Sequence, residues 1–213
     1  MKTILFQGDS VTDAERVRSD NRNYGYGYPL LAAAQIGFDC PGEYAIYNRG
    51  VSGDRVVDVY ARIKADIINL KPDYMSILIG VNDAWHEISY ANGVDAEKFE
   101  KVYGMLIEEI KEALPNIKIM ILEPFCLRGS ATENTEENPN RWNMFSTEVP
   151  KRAEKAKIIA NRYGLLFVPL QKLFDAAAEK TGGEYWLKDG VHPTFAGHEL
   201  IAREWLRAFE KMK

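Results

Sequence analysis

The first residues that could do chemistry are Gly8-Asp9-Ser10, which follow an apolar run at residues 3–7. A serine in a tight turn at the carboxyl end of a strand can present its hydroxyl and its backbone N–H to the same space. That placement suits a nucleophilic serine. The same triplet also fits a helix N-cap, in which Asp9 or Ser10 accepts a hydrogen bond from a backbone N–H. Alone, it leaves both interpretations open.

A second candidate lies near the C-terminus, where Asp189 and His192 are three residues apart. If the turn between them is fixed, the aspartate can orient the imidazole and stabilise its protonated form. Taken alone, this spacing is more typical of a local turn than of catalysis.

Two further blocks contain groups that could donate hydrogen bonds. Residues 48–54 hold Gly53, and residues 80–83 hold Asn82. A backbone N–H near Gly53 and the side-chain amide of Asn82 are donors of the kind that a developing oxyanion needs. Either block alone also fits an ordinary turn between a strand and a helix.

The elements that must position these residues follow from an alternation of short apolar runs with segments of helical period. The predicted strands are residues 3–7, 45–48, 74–79, 118–122 and 165–168. The predicted helices are residues 28–36, 55–70, 96–114, 150–163 and 194–212. This pattern predicts an α/β fold, a three-layer α/β/α sandwich around a five-stranded parallel sheet. In this fold all four groups of candidate residues described above meet at one edge of the sheet. A shared catalytic site explains this placement better than chance does.

One segment, residues 123–149, has no sustained period and contains several Asn, Pro and Gly residues. We interpret it as a long loop, either a lid or binding loop or a tolerated surface insertion. The length of 213 residues predicts a single domain that carries this loop.

The composition excludes several classes of protein. Lys and Arg total 27 against 31 Asp and Glu, a net charge of −4 that argues against a nucleic-acid partner. Cys40 and Cys126 have no metal-ligand spacing, so no metal site is expected. No apolar run approaches the ~18 residues that span a bilayer, and residues 1–6 are too short for a signal peptide. We therefore expect a cytoplasmic protein without a membrane partner.

Together the four blocks resemble those of the GDSL esterases, also called SGNH hydrolases. They read Gly8-Asp9-Ser10-Val11, with Val where the family name has Leu, then Gly50-x-x-Gly53, Gly80-x-Asn82-Asp83 and Asp189-x-x-His192. The resemblance runs in the expected order from residue 6 to residue 198, nearly the whole chain.

This resemblance implies a flavodoxin-like sheet of strand order 2-1-3-4-5 and a role for each block. Ser10 would be the nucleophile, His192 the base, and Asp189 the residue that orients His192. The backbone N–H groups of Ser10 and Gly53 and the amide of Asn82 would form the oxyanion hole. No metal and no organic cofactor is implied.

Within the family, the chain looks most similar to intracellular acetyl-xylan and related carbohydrate esterases. Its Asn82-Asp83-x-Trp85 run, its Gly27-Tyr28 segment and its ending from His192 to His198 carry this similarity. It implies acetylated sugars as substrates and a homo-oligomer. The alternatives are a lysophospholipase or acyl-thioesterase with a longer acyl groove, and a non-catalytic flavodoxin-like binding module. A binding module would not need a base beside a hydroxyl.

Five residues are candidates for substrate contacts, each with a structural alternative. Trp85 and Trp142 offer faces on which a sugar can stack, and Arg141 offers donors for hydroxyls; they could equally be core or ordinary surface. Tyr28 is either part of a sugar-stacking wall or a packing residue at the start of a helix. Asp9 either contacts substrate or holds its own turn by hydrogen bonds.

Overall fold

The computed structural model describes residues 1–213 and contains a sheet of five parallel strands. Its strands are β1 (Lys2–Gly8), β2 (Tyr44–Asn48), β3 (Tyr74–Leu78), β4 (Lys118–Leu122) and β5 (Leu166–Val168). The order is β2-β1-β3-β4-β5, and every neighbouring pair is parallel. This confirms the predicted sheet and its order. All five residues of β3 are buried, as expected for a central strand covered on both faces.

Nine helices accompany the sheet. They are α1 (Ser10–Asp13), α2 (Tyr28–Asp39), α3 (Val56–Ala61), α4 (Ile63–Asp66), α5 (Val81–Tyr90), α6 (Ala96–Ala113), α7 (Arg141–Arg162), α8 (Gln171–Thr181) and α9 (Phe195–Met212). On one face of the sheet, α2, α8 and α9 pack on Ile4 and Phe6; on the other, α3, α6 and α7 pack on Leu5 and Ile77. The α/β/α sandwich is therefore confirmed. None of the helices is long and apolar enough to cross a membrane.

The helix predicted over residues 55–70 is not continuous. It is divided into α3, α4 and a 3₁₀ turn at Ile68–Leu70. Many of its side chains are β-branched, which lowers helix propensity. The break falls at Arg62, whose guanidinium binds Asp54 at 2.7 Å and Asp66 at 2.8 Å. Three helices, α1, α5 and α8, were not among the predicted elements.

The predicted loop over residues 123–149 is wrong at its C-terminal end, because α7 already begins at Arg141. Pro150, which was expected to start this helix, lies inside it. An interior proline removes one helical hydrogen bond and costs roughly 3 kcal/mol. The first turns persist because Phe145 and Val149 are buried against α5. The loop itself comprises residues 123–140.

Candidate active site

Ser10 begins α1 directly after β1, in a turn that requires glycine at its first position. Gly8 has φ of 157°, and a Cβ there would lie 2.3 Å from the backbone O of Leu78. Asp9 caps α1, since its Oδ1 accepts the N–H of Val11 at 3.0 Å. The strand end and the cap together place Ser10 at the carboxyl edge of the sheet.

Ser10, His192 and Asp189 form one chain of hydrogen bonds. The Oγ of Ser10 lies 2.9 Å from Nε2 of His192, and Nδ1 of His192 lies 2.7 Å from Oδ2 of Asp189. Oδ1 of Asp189 also accepts the N–H groups of Val191 and His192 at 2.9 and 2.8 Å. Burial acts to raise the pKa of Asp189, but these hydrogen bonds lower it to about 2. The carboxylate therefore stays ionised at neutral pH and fixes Nδ1 as a donor.

The loop at residues 123–140 supports the turn that carries Asp189 and His192. Gly190 has φ of 95°, and a Cβ there would lie 2.5 Å from the backbone O of Leu127. Leu127 donates its N–H to Gly190 O, and Ala131 donates to Asp189 O. Part of the segment interpreted as a lid or insertion thus packs directly against this turn.

The three predicted oxyanion donors converge on one side of Ser10. The backbone N–H groups of Ser10 and Gly53 have no hydrogen-bond partner in the protein. Asn82 is 7% exposed, and its Nδ2 donates one hydrogen to Asp54 O at 3.1 Å, which leaves the second for a ligand. Ser10, Gly53 and Asn82 line a cavity of about 160 Å³. Donors that line one cavity with a serine hydroxyl can bind the oxygen of a carbonyl that the hydroxyl attacks.

Trp85 forms a wall of this small cavity. Its ring centroid lies 5.9 Å from that of His192 and 5.5 Å from that of Phe145, against which it packs edge-on. Trp85 therefore both lines the cavity and packs on the hydrophobic cluster beneath it.

A larger cleft of about 570 Å³ opens beside Ser10 and His192. Most of its walls are polar or charged: Asp13, Glu15, Arg16, Arg18, Tyr26, Ser52, Lys188 and Asp189. The sequence reasoning missed the three basic residues. The available signal was their closeness in sequence to the candidate catalytic residues: Arg16 and Arg18 follow Ser10 within eight residues, and Lys188 directly precedes Asp189.

Comparison with known proteins agrees with this geometry. Residues 6–200 match the GDSL-like lipase/acylhydrolase family. The chain belongs to this family. It is 31% identical to an acetylxylan esterase of Geobacillus stearothermophilus over 214 residues, which cover 96% of this chain and 92% of that protein.

Solved structures of the family superpose over nearly the whole chain. A protein of Parabacteroides merdae assigned as a GDSL-like lipase has a TM-score of 0.90 and 36% identity, covering 98% of this chain and 95% of its own. The Geobacillus stearothermophilus acetylxylan esterase has a TM-score of 0.81 and 30% identity, covering 97% and 93%.

Tyr28 and Asp9 were predicted to contact substrate, and the structure shows that both predictions are wrong. Tyr28 is fully buried, and its hydroxyl hydrogen bonds with Oγ1 of Thr12 at 3.0 Å, so no sugar can stack on it. Asp9 is 1% exposed and binds Val11 N–H, so it holds the turn instead of touching substrate. Tyr28 lies between Thr12 of α1 and His198 of α9, whose Nδ1 accepts the Tyr28 backbone N–H at 3.2 Å.

Arg141 and Trp142 line neither cavity. Arg141 donates from Nε to Ala131 O at 2.7 Å and from Nη1 to Ser89 Oγ at 3.2 Å. Trp142 packs against the cluster around Phe145. Both residues fasten the loop of residues 123–140 to the body of the protein. No group of three or more His, Cys, Asp or Glu side chains is arranged to hold a metal ion.

Proposed function

We propose that this member of the family is a serine esterase that removes short acyl groups, above all acetyl, from a carbohydrate. The observation that carries the proposal is the 2.9 Å contact between Ser10 Oγ and His192 Nε2, adjacent to the three oxyanion donors. A non-catalytic binding module would gain nothing from this base beside this hydroxyl.

In the first half-reaction, the Ser10 oxygen attacks the ester carbonyl carbon while Nε2 of His192 takes the hydroxyl proton. Asp189 stays ionised and stabilises the imidazolium that forms. Negative charge moves to the carbonyl oxygen, where the N–H groups of Ser10 and Gly53 and the amide of Asn82 bind it. His192 then returns the proton to the leaving alcohol oxygen, which leaves an acyl group on Ser10.

In the second half-reaction, water attacks the acyl-enzyme. His192 takes a proton from that water and returns it to Ser10 Oγ as the acyl–oxygen bond breaks. The products are a carboxylic acid and the alcohol released earlier.

The two cavities favour a small acyl group and a large polar alcohol. The cavity on the oxyanion side is about 160 Å³ and is bounded by Trp85, whereas the cleft beside His192 is about 570 Å³. A long acyl chain gains about 0.8 kcal/mol for each buried methylene only where an apolar groove exists. The acetylxylan esterase relative supports an acetylated sugar as substrate.

The direct experiment measures acetate released from peracetylated xylose and from acetylated xylo-oligosaccharides. Release that depends on Ser10 supports the proposal, and absence of release from any acetylated sugar contradicts it. The homo-oligomer and the cytoplasmic location stay predictions; size-exclusion chromatography with light scattering tests the former.

A further inference from the structure

The donor Gly53 lies in a segment without regular structure. β2 ends at Asn48 and α3 begins at Val56, so neither a strand nor a helix fixes residues 49–55. Gly53 has φ of 86°, and no atom lies within 4 Å of the position that a Cβ would take, so packing on that side does not hold it. The position of its N–H therefore depends on what holds the residues before it.

This segment packs directly against α1, the helix that begins with Ser10. A Cβ on Gly50 would lie 2.3 Å from the backbone N of Asp13, so only glycine permits the contact. Arg16, which follows α1, donates from Nε to Gly50 O at 2.9 Å. Backbones in such close contact constrain each other, and α1 therefore supports the donor segment.

The side chain of Asp13 reaches nearest to the donor along the chain. Asp13 is the last residue of α1, three residues after Ser10, and it is 4% exposed. Its Oδ2 accepts the backbone N–H of Ser52 at 2.9 Å. The next backbone N–H along the chain is that of Gly53. One side chain thus joins the helix of the nucleophile to the residue that precedes the donor.

The carboxylate of Asp13 is itself held in place. Its Oδ1 accepts the N–H of Arg16 at 3.2 Å, and its Oδ2 also accepts Nη2 of Arg18 at 2.9 Å. Hydrogen bonds to an ionised group are short and strong, so they fix the position of the acceptor. The side chain of Arg18 is 56% exposed, and solvent screens its ion pair with the buried Asp13. The acceptor for Ser52 is therefore the more consequential role of this carboxylate.

We propose that Asp13 is a positioning residue, which holds the backbone N–H of Gly53 at the distance from Ser10 that the oxyanion requires. A donor stabilises the transition state when it lies about 3 Å from the developing charge, and a displacement of about 1 Å can lower the rate about 100-fold. Ser10 and Asp13 belong to one short helix, so a single hydrogen bond sets the donor relative to the nucleophile. This inference rests on the esterase function proposed above and adds a residue that acts through Gly53.

Two substitutions at Asp13 separate the acceptor from the charge. Asp13→Asn can place its amide oxygen where Oδ2 lies and keep the bond to Ser52, whereas Asp13→Glu keeps the charge but displaces the acceptor by its additional methylene. On 4-nitrophenyl acetate, we expect Asp13→Asn to retain kcat within about 3-fold and Asp13→Glu to lose roughly 10-fold. Asp13→Ala should lose roughly 10- to 100-fold in kcat with a smaller change in KM.

Inhibition by trifluoroacetone tests whether the loss lies at the oxyanion hole. Ser10 adds to the ketone carbon, His192 takes the hydroxyl proton, and the carbonyl oxygen becomes the negative group that the donors bind. The inhibition constant Ki should therefore rise by about the same factor as kcat/KM falls. A smaller folded fraction would lower the measured kcat but leave Ki unchanged.

The matched control is Asp20→Ala. Asp20 also accepts a backbone N–H and an arginine side chain, both from Arg22, but it lines neither cavity. Its replacement should leave kcat and Ki as in the wild type. If Asp13→Ala does not fold, the comparison of Asp13→Asn with Asp13→Glu carries the test.

Three results would overturn the inference. An active Asp13→Glu beside an inactive Asp13→Asn would show that the ion pair with Arg18 matters and the acceptor for Ser52 does not. A rise in KM alone in Asp13→Ala would make Asp13 a substrate-binding residue. A loss of kcat with unchanged Ki would remove the oxyanion hole from its action. Absence of 4-nitrophenyl acetate hydrolysis by the wild type would instead contradict the esterase function itself.

Discussion

The carboxyl group of Asp83 accepts the backbone N–H of Val56, with Oδ1 at 3.1 Å and Oδ2 at 3.2 Å. Asp83 follows the donor Asn82 at the start of α5, and Val56 begins α3 shortly after the donor Gly53. This contact therefore ties together the two segments that supply the proposed oxyanion hole. Burial raises the pKa of Asp83 to about 8, so a neutral carboxyl makes the contact at pH 7.

Replacing Asp83 tests this positioning role. Asp83→Ala should lower kcat on 4-nitrophenyl acetate by roughly 10- to 100-fold with a smaller change in KM, because misplaced donors mainly affect the transition state. Asp83→Asn keeps an acceptor oxygen and should retain most of the activity. Equal losses in both variants would show that the site needs an ionised carboxylate, and normal kcat in Asp83→Ala would remove Asp83 from the account.

Two buried carboxyl groups should make the free energy of unfolding fall as pH rises from just above their unfolded pKa of 3.8 through their raised folded pKa values. Burial raises the pKa of Asp9 to about 7 and that of Asp83 to about 8, from 3.8 for both in the unfolded chain. The folded state thus holds protons that the unfolded state has released, and the free energy of unfolding falls as pH rises to about 8.5. Between about pH 6.5 and about 8.5, Asp189, whose pKa is lowered to about 2, is ionised in both states. His198 has a pKa lowered to about 4 when folded, from 6.5 in the unfolded chain, so only the unfolded state loses this proton, and its opposing effect is confined to the lower end of this window.

Urea denaturation at about pH 6.5 and about pH 8.5 checks this dependence. Asp83→Asn removes one titrating group and should reduce the slope. A free energy of unfolding that rises with pH over this window, or an unchanged slope in Asp83→Asn, contradicts the assignment.

Asn82 should act mainly in the transition state. Asn82→Ala should lower kcat by roughly 10² to 10³ with a smaller change in KM, since the donor binds the oxyanion more strongly than the ester carbonyl. Steady-state kinetics on 4-nitrophenyl acetate separates the two parameters. A rise in KM alone would make Asn82 a substrate-binding residue and contradict this oxyanion hole.

The acyl group accepted by the enzyme should be short. With 4-nitrophenyl esters, activity should be highest for acetate, lower for butyrate and negligible for octanoate, because Trp85 bounds the 160 Å³ cavity. Trp85→Ala should increase the butyrate-to-acetate ratio, whereas Trp142→Ala, at a tryptophan outside both cavities, should not. A rate that rises with acyl length through octanoate would instead favour the lysophospholipase or thioesterase function.

The sheet and the four blocks were predictable because they depend on local pattern: apolar runs, their alternation with helices, and the turns that end β1 and β3. The lining of the larger cleft was not, because it depends on Ala14 and Glu15 adopting left-handed conformations without glycine. Burial of Tyr28 depends on the packing of α9 against α2, which local sequence does not reveal. The start of α7 was missed because tertiary packing of Phe145 outweighs the effect of Pro150.

Ser10 and Ser52 line the same two cavities, so they form a matched pair for testing the nucleophile. The decisive measurement is kcat on 4-nitrophenyl acetate for Ser10→Ala and Ser52→Ala, with folding checked by circular dichroism. We expect Ser10→Ala to lose roughly 10⁴- to 10⁶-fold and Ser52→Ala to stay within about 10-fold of the wild type. A folded Ser10→Ala protein that retains about a tenth of the wild-type kcat would contradict the central claim.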